Sequence, residues 1–204
     1  MTIIERAIRK LLHKQYAYGQ YKTYQEYHEA ETKSISERIR AGGGHIGKNA
    51  DFYEVKFDNN ALFSIGDNVT ITQCRLLTHD ACLSKITGCI RIAPIIIGDN
   101  VFIGADSVIL PGTKIGSNVI VGAGCVVGHD IPDNSVVIGN PCRIICSFDD
   151  FVEKEYKHIA ENGTIKQGAE RLDMFNDHAN IRHIIVNNDI FESFLTKHQY
   201  NNKT

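Results

Sequence analysis

A six-residue period runs through the middle of this chain, and few folds have any reason to hold one. Residues 65–82 read Ile65-Gly-Asp-Asn-Val-Thr, Ile71-Thr-Gln-Cys-Arg-Leu and Leu77-Thr-His-Asp-Ala-Cys. Residues 97–114 read Ile97-Gly-Asp-Asn-Val-Phe, Ile103-Gly-Ala-Asp-Ser-Val and Ile109-Leu-Pro-Gly-Thr-Lys. Residues 115–132 read Ile115-Gly-Ser-Asn-Val-Ile, Val121-Gly-Ala-Gly-Cys-Val and Val127-Gly-His-Asp-Ile-Pro. The first position is aliphatic in nine of nine units and the second is glycine in six. Six residues make one short strand and one turn, with the first side chain pointing inward and the small second residue allowing close approach at the corner. Three units close a coil of eighteen. The period therefore stacks Ile97 with Ile115, Ile103 with Val121 and Ile109 with Val127, as parallel strands about 4.8 Å apart. Asn68, Asn100 and Asn118 hold the fourth position, where a left-handed turn residue is expected. Neither a sandwich nor a βαβ fold requires this spacing.

Composition divides the chain the same way. Residues 65–146 contain 16 Ile, 9 Val and 10 Gly, with no Glu, no Tyr and Phe102 as the lone aromatic. Charged residues number 11 of 82 there against 35 of 122 elsewhere, so β-structure with many turns is confined to the middle. Three segments follow: a helical 1–45, a β-helix 46–146 and a helical 147–204. Ile3, Ile4, Ala7, Ile8, Leu11 and Leu12 recur at helical spacing, and five tyrosines follow between Tyr16 and Tyr27. The tyrosines read as a helix face or an interface rather than an aromatic platform for a ligand. In the last segment, Ser147 or Asp149 caps a helix reaching about Glu161, and a second helix is predicted over 181–195. This flank is expected to cap the open coil edge, where strand addition is a hazard.

The order of several short motifs is more specific than the period. Thr78-His79, Ala93-Pro94-Ile95-Ile96-Ile97-Gly98, Ile109-Leu110-Pro111-Gly112, Val121-Gly122-Ala123-Gly124, Asp130-Ile131-Pro132 and Gly139-Asn140-Pro141 follow one another within the span from about 62 to 146. In this the chain resembles the hexapeptide-repeat acyltransferases, and most closely the maltose, galactoside and xenobiotic acetyltransferases and the polysaccharide O-acetyltransferases. The resemblance implies a left-handed parallel β-helix of triangular section. The left hand rests on the resemblance alone, since the general rule favours right-handed crossovers. It further implies acetyl-CoA as co-substrate and a homotrimer whose active sites lie between subunits. His79 matches the family's general base, beside a break in the repeat lattice that puts a loop at 83–96. Ala105, Ala123, Gly128, His129 and Arg143 match positions along the pantetheine arm and nucleotide phosphates. Gly128-His129 stands where the family usually has Thr-Lys, so a hydroxyl and a fixed positive charge are missing.

Other function classes fare worse. A net charge of −2 provides no basic footprint for nucleic acid, and no apolar run approaches the roughly 18–20 residues of a membrane span. Glu5, Arg6, Arg9 and Lys10 interrupt the apolar core a signal peptide needs, which predicts a cytoplasmic protein. The six cysteines form no CxxC pair and read as buried hydrophobes. Gly42–Lys48 fits G-x-x-x-x-G-K, but Asn49 stands where a phosphate loop has Ser or Thr. Gly122-x-Gly124 falls in the hexapeptide frame and no helix follows it, so it is no dinucleotide fingerprint. A sugar hydroxyl is a poor nucleophile and needs a base titrating near working pH, which His79 supplies. Asp80 is not its orienting partner, because adjacent strand residues face opposite ways. The leading reading is an acetyl-CoA-dependent O-acetyltransferase of a sugar or glycan precursor, requiring no metal. Alternatives are N-acetylation of an amino sugar, a γ-carbonic-anhydrase-like zinc enzyme and a non-catalytic scaffold. A zinc enzyme needs a third histidine within the repeats, which hold only His79 and His129. Acceptor contacts are expected from residues near 46–64, the loop and the neighbouring subunit.

Overall fold

The computed structural model describes residues 24–58 and 60–162, together with the strands at 165–167 and 183–185. The initial helix pattern at 3–12 and Tyr16, Tyr18 and Tyr21 lie outside the described residues. Two compact units divide at Phe148/Asp149, and each is described by itself.

The first unit is a three-faced parallel coil. Face 1 consists of β1 (His45–Ile46), β4 (Phe63–Ile65), β9 (Ile95–Ile97) and β12 (Lys114–Ile115). Face 2 runs through β2 (Asp51–Tyr53), β5 (Val69–Thr72), β10 (Val101–Ile103), β13 (Val119–Val121), β15 (Ser135–Ile138) and an antiparallel β16 (Arg143–Ser147). Face 3 is β3 (Lys56–Phe57), β6 (Arg75–Leu76), β11 (Val108–Ile109) and β14 (Val126–Val127). From β1 to β14 the prism strands visit the faces in the order 1, 2, 3 and begin again, pairing in parallel with strands a coil away; Ile131 then bridges to Ile115 on face 1 before β15. The expected stacks are present: Ile115 opposite Ile97, Ile103 opposite Val121 and Ile109 opposite Val127. These residues, with Ile65, Ile71, Val69, Val101 and Val119, fill the interior.

One frame assignment is corrected. Leu76, not Leu77, occupies the inward position: it is fully buried and pairs with Ile109. Gln73, at φ 40, takes a left-handed turn that shortens this side of the coil by one residue.

The corner between faces 1 and 2 explains the Gly-Asp-Asn consensus. Asn49, Asn68, Asn100 and Asn118 all adopt φ of 54–56°, the left-handed conformation that Asn tolerates. Their side-chain amides hydrogen-bond in a ladder, each Nδ2 donating to the next Oδ1 at 3.0 Å. Beside them Asp67 accepts the N–H of Lys48, and Asp99 that of Asp67, both at 2.7 Å. The preceding glycines are sterically obligatory: a Cβ on Gly66 would lie 2.7 Å from backbone atoms of Gly98. Gly47-Lys48-Asn49 is simply the first of these corners, which disposes of the phosphate-loop reading.

Both edges of face 2 are covered. The helix α1 (Tyr24–Ala41) lays Ile35, Ser36 and Ile39 against the first coil. Thr32 Oγ1 accepts the Phe52 N–H at 3.1 Å and faces its carbonyl at 3.3 Å, so an otherwise open strand edge finds partners. The helix closes on Gly43 at φ 93, with the Gly44 N–H bonded to Ile39 O and the Gly43 N–H to Arg40 O. At the far edge β16 pairs antiparallel with β15. Among the described residues of this unit, α1 lies on one edge of face 2 and residues 143–147 pair along the other.

The second unit contains a helix, Phe148–Asn162, with Asp149 and Asp150 in its first turn where the helix dipole favours anions. Within the helix expected over 181–195, His183–Ile185 form instead a strand parallel to Ile165–Gln167. The β-branched run Ile184-Ile185-Val186 favours an extended backbone over weak helical spacing. The remainder of 181–195 lies outside the described residues.

Candidate functional site

The coil lattice is interrupted once among the described residues, and the chemistry gathers there. Ile65 pairs with Ile97, thirty-two residues on, so one coil carries fourteen more than eighteen. The excess is an antiparallel hairpin of β7 (His79–Asp80) and β8 (Arg91–Ile92) around a helical turn, Ser84–Thr87. It leaves the corner after Thr78 and returns at Ala93, whose N–H bonds to Thr78 O at 2.9 Å. The excursion thus begins at His79 itself, earlier than the 83–96 expected from spacing. The Arg91 guanidinium ties its returning strand to the prism by donating to Pro111 O at 3.1 Å.

His79 points back at the coil below. Its Nδ1 makes a hydrogen-bonded ion-pair contact with Asp58 Oδ2, and the side chain is 49% exposed while that of Asp58 is 19% exposed. In the neutral imidazole, giving Nδ1–H to the carboxylate leaves the lone pair on Nε2. Asp58 is held by Thr78 in turn. The Thr78 N–H reaches Oδ1 at 3.1 Å and Oδ2 at 3.2 Å, and its hydroxyl donates to Oδ1 at 2.5 Å. Partial burial pushes the Asp58 carboxyl upward, but the hydrogen bonds from Thr78 and His79 outweigh it and hold the group below the ordinary carboxylate range. Asp80 faces elsewhere, accepting the Cys82 N–H at 2.8 Å, and it too is lowered, first by that bond.

The remaining expected residues fall at three places. Gly128 and His129 follow β14 and share with His79 the corner between faces 3 and 1. They lie two coils further along, or about 10 Å at the usual strand separation. Leu110 stands between, its N–H bonded to Val127 O while Leu77 N–H bonds to Ile109 O. Ala105 and Ala123 stack on the corner between faces 2 and 3, where the Gly124 N–H bonds to Ala105 O at 2.8 Å. Arg143 is exposed at the start of β16, opposite Ile138. Within one chain His79 therefore shares a corner with Gly128 and His129, while Ala105 and Ala123 line a second corner and Arg143 an edge strand. His129 has a neighbour the sequence did not suggest, the buried Cys142 thiol, 4.0 Å from either ring nitrogen. Among the described residues no cluster of three or more His, Cys, Asp or Glu converges as a metal site.

Asp58 is the candidate residue that sequence reading did not single out. It stands one coil before the Thr-His word, in a coil of the expected β-helix that keeps the consensus only at Ile46-Gly47-Lys48-Asn49, so nothing marked the corner on which it falls. The available signal was the distance of twenty residues between Asp58 and Thr78, near one coil length.

Comparison with known proteins agrees with this architecture. Residues 94–129 match the bacterial transferase hexapeptide (six repeats) family. The chain is 38% identical over 126 residues to the galactoside O-acetyltransferase of Escherichia coli (strain K12), covering 55% of this chain and 60% of that protein. It is 36% identical over 109 residues to the galactoside O-acetyltransferase of Lactococcus lactis subsp. lactis (strain IL1403), covering 53% and 50%. A solved maltose O-acetyltransferase from Clostridium difficile 630 is 30% identical, with a TM-score of 0.46, covering 60% of this chain and 84% of that one. The chain thus spans between half and three fifths of the length of these two curated relatives.

Proposed function

We propose, from the premise that this chain belongs to the hexapeptide-repeat acetyltransferases, that it transfers an acetyl group from acetyl-CoA to a hydroxyl of a sugar or glycan precursor in the cytoplasm. The observation that carries the reading is the Asp58–His79 pair at the one interruption of the lattice. His79 Nε2 takes the proton of the acceptor hydroxyl as that oxygen attacks. Asp58 keeps Nδ1–H in place, fixes the tautomer and stabilises the imidazolium that forms. The co-substrate supplies the electrophilic thioester, whose C–S bond breaks as the tetrahedral adduct collapses, the imidazolium returning its proton to the departing CoA thiolate. Its arm suits the corner of Ala105 and Ala123, where side chains are small and Ala123 is exposed, and the exposed Arg143 and His129 are the groups to meet phosphates.

His79 and His129 share one corner of the prism while Ala105, Ala123 and Arg143 lie away from it, which supports a homotrimer with sites shared between subunits. Apolar side chains exposed on the hairpin, Leu83, Ile86, Ile90 and Ile92, and on the faces, Ile96 and Phe102, are surface that such an assembly would cover. We assign the prism the left-handed coil of the family.

The test is an acceptor screen with acetyl-CoA, following acceptor-dependent CoA release and the mass of the product. Mild base distinguishes the products, since an ester on oxygen is cleaved and an amide on nitrogen is not. Ester products on a sugar are expected. Amide products would redirect the reading to amino sugars. CoA release with no acceptor tried, or activity dependent on stoichiometric zinc, would overturn it.

A further inference from the structure

We propose that Thr78 is a positioning residue that aims the His79 imidazole through Asp58, so that its hydroxyl controls turnover without touching substrate. The inference rests on the general-base reading of His79, but its structural basis is independent of the acceptor. Thr78 is fully buried. Every polar group it has is committed to the junction between coil and hairpin. The N–H and hydroxyl hold both carboxylate oxygens of Asp58, and the carbonyl accepts the N–H of Ala93 where the hairpin rejoins the prism. The oxygen that Thr78 Oγ1 grips is Oδ1, which leaves Oδ2 to receive His79 Nδ1.

A carboxylate on a short side chain rotates about its terminal torsion with little resistance. Two donors from one residue, the N–H shared between both oxygens and the hydroxyl on Oδ1, remove that freedom, and they keep the group anionic beside the imidazole. On the hairpin, Asp80 accepts the Cys82 N–H and attracts Arg91, whose guanidinium donates to Pro111 O. From α1, Arg38 lies over the Phe57 ring at 5.0 Å, one residue before Asp58. None of these supplies the second anchor for Asp58 that Thr78 does. A valine at 78 would keep the shape and the N–H bond but lose the hydroxyl, leaving Oδ1 a weaker hold.

Steady-state kinetics and proton NMR of Thr78→Val, Thr78→Ser and Asp58→Asn provide the test. Valine should lower kcat about tenfold with KM for acetyl-CoA unchanged, and serine should restore it to within about threefold. In an Asp58→Asn background the valine change should cost under about twofold, because the route through the carboxylate is already gone. The downfield imidazole Nδ1–H resonance, assigned by its loss in His79→Ala, should shift or broaden in Thr78→Val and recover in Thr78→Ser. That resonance reads the pair whether or not an acceptor is known, so it separates this proposal from the acetyl-transfer reading. Should valine unfold the coil, Thr78→Ala and Thr78→Ser carry the same comparison. Wild-type kcat together with an unmoved resonance in a folded variant lacking the hydroxyl overturns the proposal. So does a full tenfold loss persisting in the Asp58→Asn background.

Discussion

Replacing Gly66 with alanine tests the account of the corner more directly than any core truncation. The added methyl would sit 2.2 Å from Asp99 Oδ1 and 2.7 Å from the carbonyl carbon and oxygen of Gly98. The carboxylate can turn aside, but the backbone of the next coil cannot. Restoring ordinary contact at about 3.4 Å requires the two coils to part by roughly 0.7 Å at this corner. That displacement falls on the bond from Gly66 N–H to Ile97 O, now 2.9 Å, and on the bond from Asp67 N–H to Asp99 Oδ1, now 2.7 Å. Overpacking of this kind costs about 1–3 kcal/mol, and two weakened hydrogen bonds add about 1 kcal/mol each. The sum, about 3–5 kcal/mol, corresponds to a fall in Tm on the order of 10 °C for a chain of this size. Gly124→Ala is the control. Gly124 has φ 70 but nothing within 4 Å of a Cβ, so only the left-handed penalty of about 1 kcal/mol applies. Both variants should be melted by circular dichroism at one protein concentration, since association would contribute to the apparent stability. Equal losses in the two, or a smaller loss at Gly66, would falsify the view that coil spacing, not backbone conformation, dictates glycine at this position.

Three further outcomes are expected. His79→Ala should lower kcat by about 10²–10⁴-fold with CoA affinity and Tm retained, whereas His129→Ala should chiefly raise KM for acetyl-CoA; initial rates across both substrates check the split. The lowered Asp58 carboxyl contributes stability that is present above the unfolded carboxylate value of roughly 3.9 and is lost as pH falls through the folded value. The Tm gap between wild type and Asp58→Asn should therefore be full near neutrality and close in acid, and a gap that widens below pH 4 would count against the Thr78–Asp58–His79 arrangement. Alkylation followed by mass spectrometry should label Cys82 and Cys89, exposed on the hairpin, well before Cys74, Cys125 and Cys142. Those three are buried, and burial pushes the Cys74 thiol up to about 12.

The cysteines show where composition misleads. All six read as buried from their scatter in the sequence, and three are, but Cys82 and Cys89 ride on the hairpin and face solvent while Cys146 is half-buried. Nothing in the residue types distinguishes the two groups. Only the point at which the chain leaves the prism does.

What the sequence alone determined is whatever repeats. A period of six places an aliphatic residue inward at every strand, so the faces, the stacks of Ile97 on Ile115 and of Ile103 on Val121, and the left-handed asparagines follow from local pattern. Such features are legible because each coil restates the same short-range chemistry. The tertiary structure decided what depends on juxtaposition of segments that share no pattern. Leu76 displaced Leu77 because a turn at Gln73 consumed one residue fewer, a choice of backbone geometry that two adjacent leucines cannot reveal. Asp58 came beside His79 because a coil that keeps the consensus only at its first corner still closes at nearly the same length, bringing a residue twenty positions before Thr78 under the Thr-His corner. The sequence named the candidate base; coil closure in three dimensions supplied its partner, because hydrogen bonds between neighbouring coils join residues by their height on the prism and not by their order in the chain.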